Sequence, residues 1–288
     1  MSRLFCFGLG YSARAFARRV MAQGWHVDGT SRTQDGADAL ASEGFNTIVF
    51  DGTRRVPAVT ESLRLATHVL VSAPPDAAGD PALLQHGDDL RAAFQLEWVG
   101  YLSTVGVYGD HQGGWVDETT PVNPRSQRSR QRVDAENAWL AFAAETGKRV
   151  QIFRLSGIYG PGRSAIDKVR NGTARAIVKP GQVFNRIHVE DIANVLMACA
   201  QGGGTHDIYN VTDSEPGPPQ DVIAHAAEML HMPAPPEIAF DDAQLSPMAA
   251  SFYGENKRVS NARLRDDLNI SLDFPSYREG LRAILGDA

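Results

Sequence analysis

A short apolar segment, followed at once by a glycine-rich turn and a helical pattern, constrains this chain more than any other feature of its sequence. Residues 4–7 are apolar without alternation, which predicts a strand buried on both faces of a parallel sheet. Gly8, Gly10 and Ala13 follow with the spacing G-x-G-x-x-G/A. From Ala13 onward, apolar residues recur at i, i+3, i+4, i+7 and i+8, which predicts a helix with one buried face.

The spacing of this turn suits a dinucleotide. The first glycine permits a tight turn, the second lets a pyrophosphate approach the backbone, and the small third residue lets helix and strand pack closely. The anion would lie at the helix N-terminus, where N–H groups and the helix dipole favour negative charge. We therefore predict a dinucleotide site at Gly8, Gly10, Tyr11, Ser12 and Ala13, with a purely structural glycine turn as the alternative.

The composition is that of an ordinary globular protein. A chain of 288 residues is long enough for one large domain, or for a large domain with a smaller lobe. Its 28 basic and 34 acidic residues give a net charge of −6, which argues against a nucleic-acid partner. Neither a long apolar run nor a signal-peptide pattern occurs, so we expect a cytoplasmic protein without a membrane partner. Cys6 and Cys199 are expected to be buried hydrophobes, and neither a disulfide nor a metal site is predicted.

Strand and helix patterns alternate along the first part of the chain. Further strands are predicted at residues 25–30, 45–50, 68–72, 97–103 and 150–155, and helices at residues 83–94 and 133–144. This repetition predicts an α/β fold, a Rossmann-type doubly wound parallel sheet. We expect residues 1–155 to form the dinucleotide-binding domain and residues 156–288 to form mainly a smaller C-terminal substrate lobe. A late helix (192–200) and strand (207–211) of that second part are expected to return to the sheet.

The end of the second strand bears on the identity of the cofactor. In dinucleotide folds an acidic residue about 20 residues past the glycines binds the ribose 2′-hydroxyl, whereas an arginine accommodates a 2′-phosphate. Ser31 and Arg32 stand at that point, and Asp28, the acidic candidate, lies mid-strand. We therefore favour NADP over NAD, with Arg32 as a solvated loop cation as the alternative. Cofactor contacts are also expected after the third and fourth strands, at Asp51, Ala73 and Pro74.

Four sequence blocks occur in an order that is typical of one enzyme family. They are residues 8–13 (GLGYSA), 101–109 (YLSTVGVYG), 154–162 (RLSGIYGPG) and 186–192 (RIHVEDI). With these blocks the chain resembles the extended short-chain dehydrogenase/reductase superfamily, the NAD-dependent epimerase/dehydratases, over nearly its whole length. The resemblance implies a nicotinamide cofactor across the N-terminal sheet and a substrate cleft roofed by the C-terminal lobe.

The resemblance also implies three catalytic positions, and two of them are arginine in this chain. In the family a Ser or Thr orients the substrate, a Tyr is the acid/base, and a Lys four residues later lowers the pKa of that Tyr. Thr104 matches the first position, and counting back by fours from Glu136 puts Arg132 at the Lys position and Arg128 at the Tyr position. A guanidinium donates hydrogen bonds, for example to the nicotinamide ribose, but it stays protonated and cannot shuttle a proton. The chain therefore resembles an atypical subgroup without the Tyr-x-x-x-Lys pair.

Other side chains are candidates for the missing acid. Tyr108, just past the fifth strand, is able to act as a phenol acid, although this position is usually packed in the family. For His111, for the paired Asp117 and Glu118, and for His188, a structural role is the favoured interpretation.

The substrate side departs from the sugar-nucleotide enzymes of the family. Many of those carry an arginine for the diphosphate four residues before the His of the Ile-His-Val block, where this chain has Phe184, although Arg186 is close by. Tyr159 and Arg186 are the predicted substrate-binding residues. Arg128 is predicted to clamp an anionic group together with Thr104 and Arg186, with a solvated helix face as the alternative.

Two functions follow from these expectations. The first is an NADP-dependent oxidoreductase or epimerase/dehydratase-like enzyme that acts on a small hydroxyl or carbonyl compound, anionic if the clamp is correct. The second is a catalytically inactive NADP-binding sensor that reports to a partner protein. The arginine at the Tyr position supports the second, and the Thr104 and Arg186 blocks support the first. A homodimer is compatible with either function.

Overall fold

The computed structural model describes residues 2–286 as an α/β protein. The first half alternates strand and helix: β1 (Arg3–Phe7), α1 (Tyr11–Ala22), β2 (His26–Ser31), α2 (Gln34–Ser42), β3 (Asn46–Val49), α3 (Pro57–Leu65), β4 (His68–Val71), α4 (Pro81–Ala92), β5 (Trp98–Thr104), β6 (Trp115–Val116) and α5 (Gln127–Thr146). The second half has mostly shorter elements: β7 (Arg149–Leu155), β8 (Gly157–Tyr159), α6 (Ala165–Arg170), β9 (Ala176–Val178), β10 (Arg186–His188), α7 (Val189–Ala200), β11 (Ile208–Val211), α8 (Pro219–Met229), β12 (Glu237–Ala239), α9 (Pro247–Tyr253), β13 (Arg258–Val259), α10 (Ala262–Asp266) and α11 (Tyr277–Gly286).

The main sheet has seven strands within the described residues, in the order β11-β7-β5-β4-β1-β2-β3. The pairs β1–β2, β2–β3, β1–β4 and β4–β5 are parallel. The strand order reverses between β1 and β4, because the chain first adds β2 and β3 on one side and then β4 and β5 on the other. Open α/β sheets bind ligands outside the carboxyl ends of the strands at such a switch point. The predicted doubly wound parallel sheet is confirmed.

The described residues group into two compact units. The first comprises residues 2–104, 127–154 and 192–209, and the second comprises residues 105–126, 155–191 and 210–286. In the first unit, helices α3, α4 and α5 pack buried aromatic and aliphatic side chains on the sheet. In the second, α6, α8 and α11 enclose a separate apolar core. The roles predicted for residues 1–155 and 156–288 stay predictions.

The local patterns explain where the elements begin and end. Helix α1 buries Ala13, Phe16, Ala17 and Val20 of the predicted apolar face, whereas Met21, the last residue of that pattern, is exposed. The helix predicted over residues 133–144 extends over Gln127–Thr146. The sequence pattern missed its first turns because they carry polar residues and show no apolar periodicity. Both cysteines are buried and unbridged, as expected. Among residues 2–286, none of the helices combines the length and the hydropathy that a membrane span requires.

Candidate functional site

The turn between β1 and α1 is held in place by Thr30 of β2. Gly8 has a φ of +88°, and a Cβ on it would lie 3.3 Å from the Ala73 nitrogen. The Gly8 N–H donates to Thr30 Oγ1 at 2.8 Å, and the Leu9 N–H donates to the Thr30 carbonyl at 3.0 Å. Any other residue at position 8 would be strained, because L side chains rarely adopt this backbone conformation.

Leu9, inside this turn, packs directly on the backbone of β2 at Gly29. A Cβ on Gly29 would collide with the Leu9 side chain and lie 3.3 Å from the Cys6 Cβ. Gly29 and Thr30 were not among the predicted site residues. The sequence does carry a signal for one of them, because a lone glycine inside a strand indicates the close approach of another segment.

Helix α1 begins without a side-chain cap. Its N-cap residue is Gly10, with extended backbone (φ −76°, ψ −173°), and no side chain accepts a hydrogen bond there within the described part of the chain. Tyr11 is half-buried, and Ser12 and Ala13 are buried. The backbone N–H groups of a helix start and the helix dipole favour a bound anion, so the geometry of this turn fits a pyrophosphate.

The end of β2 presents a cation beside a carboxylate that is already engaged. Ser31 is the last residue of β2, and the exposed Arg32 follows it. The Arg32 side chain forms no hydrogen bond or ion pair with any described residue. Asp28 is buried; its Oδ1 accepts from Asn46 Nδ2 and lies 3.0 Å from His26 Nε2. Neighbours on β2 and β3 therefore satisfy Asp28, whereas Arg32 has a guanidinium to offer to an anion.

The remaining predicted cofactor residues follow β3 and β4. Asp51 Oδ1 accepts from the Thr53 N–H at 2.9 Å and from Thr53 Oγ1 at 2.7 Å, and these hydrogen bonds lower the pKa of Asp51. The Ala73 N–H donates to the Phe7 carbonyl at 2.9 Å, which ties the segment after β4 to the end of β1. Pro74 comes next and is exposed. The segments after β1, β2, β3 and β4 thus share the carboxyl edge of the first unit's sheet.

Helix α5 carries both arginines of the expected catalytic positions. Arg132 is half-buried, and its Nη1 donates to the Tyr101 hydroxyl at 3.0 Å and to the Leu102 carbonyl at 2.7 Å. The guanidinium carbon of Arg132 lies 5.7 Å from the centre of the Tyr101 ring. Arg128 is exposed in the first turn of α5, and Thr104 is the half-buried last residue of β5.

One turn beyond Arg132, helix α5 buries Glu136. This carboxylate accepts from Ser103 Oγ at 2.5 Å and from Arg154 Nη2 at 2.7 Å. The Arg154 and Glu136 side chains are 5% and 3% exposed, so the ion pair is buried and held by several hydrogen bonds. The predicted series of Arg128, Arg132 and Glu136 therefore runs along α5 from an exposed residue to a buried one.

Asp80 precedes α4 in the same unit. Its Oδ1 accepts from the N–H groups of Ala82 at 3.0 Å and Leu83 at 3.1 Å, so Asp80 caps this helix. Burial raises the pKa of Asp80 to about 6, although the backbone N–H groups and the charge of Arg132 oppose the shift. A carboxyl in this position is thus partly protonated near neutral pH.

In the second unit, the two predicted tyrosines are packed. Tyr108 is fully buried, and its hydroxyl donates to Asn210 Oδ1 at 2.8 Å. The Tyr159 hydroxyl donates to the Ser276 carbonyl at 3.3 Å, and burial raises the pKa of Tyr159. A Cβ on Gly280 of α11 would collide with the Tyr159 ring. These contacts make both side chains part of the packing of this unit, and their functional roles stay predictions.

Arg186 in the second unit is engaged by backbone. Its Nη1 donates to the Phe184 carbonyl at 3.0 Å and to the Gly217 carbonyl at 3.2 Å. Its guanidinium carbon lies 5.7 Å from the centre of the Tyr277 ring, and burial lowers the pKa of Arg186. Binding of a substrate anion by Arg186 stays a prediction.

The residues for which a structural role was favoured make local contacts. His111 Nε2 donates to the Tyr108 carbonyl at 3.1 Å, and Asp117 Oδ1 accepts from Thr119 and Thr120. Glu118 accepts from the Asn210 N–H at 2.8 Å, and His188 Nδ1 accepts from the Glu190 N–H at 3.3 Å.

The Tyr-x-x-x-Lys spacing does occur once in the sequence, at Tyr253 and Lys257, away from the position that the resemblance implies. The Lys257 ammonium donates to the Gly109 carbonyl and to Glu255 Oε2, both at 2.7 Å, and is buried. Tyr253 ends α9, and its ring centre lies 5.1 Å from that of Phe184. The lysine therefore ties the loop at Gly109 to the chain after α9, which is a structural arrangement.

Comparison with known proteins is decisive for the family. The model of the NAD dependent epimerase/dehydratase family matches residues 8–212. The chain belongs to this family. A conserved protein of unknown function from Silicibacter pomeroyi DSS is 49% identical to this family member, with a TM-score of 0.91 and coverage of 100% of this chain and 99% of that chain. Protein YeeZ of Escherichia coli K12 is 27% identical over 287 residues, which cover 96% of this chain and 97% of that protein.

A more distant enzyme shares the fold. UDP-glucuronic acid 4-epimerase from Bacillus cereus, solved in complex with NAD, superposes with a TM-score of 0.76 at 16% identity, over 99% of this chain and 96% of that chain.

Proposed function

We propose that this family member binds NADP(H) and acts as an oxidoreductase or epimerase/dehydratase-like enzyme on a small substrate with a hydroxyl or carbonyl group. The observation that carries the proposal is the Gly8–Gly10 turn at the switch point of the sheet, which leads into a helix without a side-chain cap. The family match supports a nicotinamide cofactor, as does the NAD bound to the Bacillus cereus epimerase.

The cofactor is held by residues of the first unit. The first turn of α1 binds the pyrophosphate, and Arg32 with Ser31 binds the 2′-phosphate. Asp28 does not compete for this position, because Asn46 and His26 already engage it. The bound cofactor supplies hydride transfer, and the protein supplies binding, orientation and electrostatics. Thr104 at the end of β5 orients the substrate.

The substrate is a small anionic compound rather than a nucleotide sugar. Phe184, at the position of the family's diphosphate-binding arginine, packs against Tyr253 with ring centres 5.1 Å apart. Arg128 is an exposed residue, and a guanidinium has the geometry to bind a carboxylate or phosphate with two hydrogen bonds.

A specific observation also favours the second function, an inactive NADP-binding sensor. Arg128 at the Tyr position cannot donate and recover a proton, and the hydroxyl of the buried Tyr108 already donates to Asn210. The fold would then report cofactor binding to a partner without turnover.

Thermal-shift titration tests the cofactor. At about 100 times its Kd, NADPH should stabilise the protein by about 2.7 kcal/mol. Arg32→Ala should weaken NADPH binding about tenfold and change NADH binding less than about twofold, because only NADPH carries the 2′-phosphate. Arg64→Ala, which removes an exposed cation of α3, is the matched control.

The outcomes separate the parts of the proposal. Equal stabilisation by NADH and NADPH would contradict the proposed role of Arg32. Stabilisation by neither would contradict the proposal that the protein binds a nicotinamide cofactor. Sustained NADPH oxidation with a panel of aldehydes and ketones supports the enzyme. Binding without turnover across the whole panel, in either direction of the reaction, supports the sensor.

A further inference from the structure

Three contacts fix the guanidinium of Arg132. Its Nη1 donates to the Tyr101 hydroxyl at 3.0 Å and to the Leu102 carbonyl at 2.7 Å, and its carbon lies 5.7 Å from the centre of the Tyr101 ring. Tyr101 is itself packed in the core, because it is fully buried and its ring centre lies 6.2 Å from that of Trp139. The plane of the guanidinium is therefore set by the sheet and the core of the first unit.

These contacts use only one of the three nitrogens of the group. Nη1 has two hydrogens, and the hydroxyl and the carbonyl accept both. Arg132 forms no other hydrogen bond with the residues that the structure describes. The Nε–Nη2 edge, which is a bidentate fork, therefore donates to none of the described residues, although Arg132 is near enough to Asp80 for its charge to oppose the rise in the pKa of that carboxyl.

An arginine needs such support where a lysine does not. An ammonium is a compact charge with three rotatable donors and adapts to its acceptors. A guanidinium is planar and rigid, so it binds two oxygens well only when its plane is already aligned with them. Ordering it before the ligand arrives also removes an entropic cost of binding.

We propose that Tyr101 is a positioning residue that holds the Nε–Nη2 edge of Arg132 toward the two hydroxyls of the nicotinamide ribose. This inference rests on the proposed function, because it requires that the protein binds NADP(H). Tyr101 does not touch the ligand; it acts through Arg132.

Affinities for two probes, measured by calorimetry, test the inference. NADPH contains the nicotinamide ribose, whereas 2′,5′-ADP contains only the adenosine half with its 2′-phosphate. Tyr101→Phe keeps the ring and removes the hydroxyl, and should weaken NADPH binding about fivefold while 2′,5′-ADP binding stays unchanged. Arg132→Lys should also weaken only NADPH, because the ammonium lacks the fork. In an Arg132→Met background, Tyr101→Phe should have no further effect on NADPH.

Tyr209→Phe is the matched control, because it removes another fully buried hydroxyl of the first unit, one that accepts from the His206 N–H at 3.1 Å. It should change neither affinity. Unchanged NADPH binding in Tyr101→Phe would overturn the inference, as would an equal loss for both probes or an additive loss in the Arg132→Met background. If the unaltered protein binds neither probe, the proposed function fails and the inference fails with it. If the unaltered protein binds both probes but Tyr101→Phe does not weaken NADPH selectively, the inference about Tyr101 fails and the proposed function stands.

Discussion

Helices α1 and α4 both belong to the first unit and follow adjacent parallel strands, yet their N-termini are completed in opposite ways. Helix α4 is capped by the chain itself, since Asp80 Oδ1 accepts from the Ala82 and Leu83 N–H groups. Helix α1 starts at Gly10, where no described side chain accepts a hydrogen bond. Both helix starts attract negative charge. In α4 the charge comes from a built-in carboxyl, whereas at α1 we propose that it comes from a bound anion.

The two helix starts differ in what can occupy the space in front of their N–H groups. A carboxylate at the N-cap satisfies the orphan N–H groups and occupies the space in front of them. A glycine leaves both the groups and the space to an anion. Substitutions at these two helix starts therefore test the comparison. Three predictions follow, from the largest expected change in free energy to the smallest.

A carboxylate placed at the start of α1 should greatly weaken cofactor binding without harming the fold. Gly10→Asp fits the extended backbone, and its Cβ would lie 3.7 Å from Ser72 Oγ, an ordinary contact. Repulsion of about 4 kcal/mol between the new carboxylate and a pyrophosphate about 4 Å away should lower NADPH affinity about 1,000-fold. The free energy of unfolding should change by only a few tenths of a kcal/mol, because aspartate is a good N-cap.

Gly10→Asn is the control for this prediction, since it caps the helix without charge and should lose much less affinity. Calorimetric titration and urea unfolding measure the two effects. Retention of NADPH binding by Gly10→Asp would contradict the assignment of the anion site to α1.

Removing the built-in charge of α4 should change how stability depends on pH. Because burial raises the pKa of Asp80 from 3.8 to about 6, the folded protein holds this proton more tightly than the unfolded chain does. The free energy of unfolding of the wild type should therefore fall as pH rises from about 4 to about 6, by up to about 3 kcal/mol from this group. Asp80→Asn does not titrate and should lack this fall, so the variant gains stability relative to the wild type over that interval.

Urea unfolding at pH 4, 5, 6 and 7 measures the effect. Asp38→Asn, which removes an exposed carboxylate of α2, controls for the loss of a charge. Parallel pH profiles for wild type and Asp80→Asn would show that burial of Asp80 has no energetic consequence.

Distorting the turn before α1 should lower the affinity for the cofactor less than placing a carboxylate at position 10 does. Gly8→Ala introduces a methyl at a φ of +88°, 3.3 Å from the Ala73 nitrogen, and should lower NADPH affinity about 30-fold as the turn shifts. Gly24→Ala provides a matched control, because Gly24 has a φ of +81° and nothing within 4 Å of its Cβ position. It should lose stability by about 1–2 kcal/mol through backbone strain alone. Equal NADPH affinities of the two variants would mean that Gly8 matters only for the backbone.

The sequence by itself determined the sheet-forming part of the fold and predicted the first element of the candidate site. The strand before Gly8, the apolar face of α1 and the alternation of strands and helices are local patterns, because burial repeats with the period of each element. The spacing of Gly8 and Gly10 likewise predicts a tight turn from neighbouring residues alone, although the hydrogen bonds that hold the turn come from Thr30 of β2. The resemblance carried by four sequence blocks in order along the chain was enough to suggest the family, which the match over residues 8–212 confirms.

Only the tertiary structure decided which side chains are already engaged. Thr30 binds the Gly8 N–H because β2 lies beside β1, and Tyr101 supports Arg132 because α5 packs on β5. Arg32 and Arg186 look equivalent as candidate anion ligands in the sequence. The first has no partner among the described residues, and the second donates to two backbone carbonyls. A hydrogen bond depends on the distance between atoms that the fold brings together, and nothing in the identity of one residue reveals that distance.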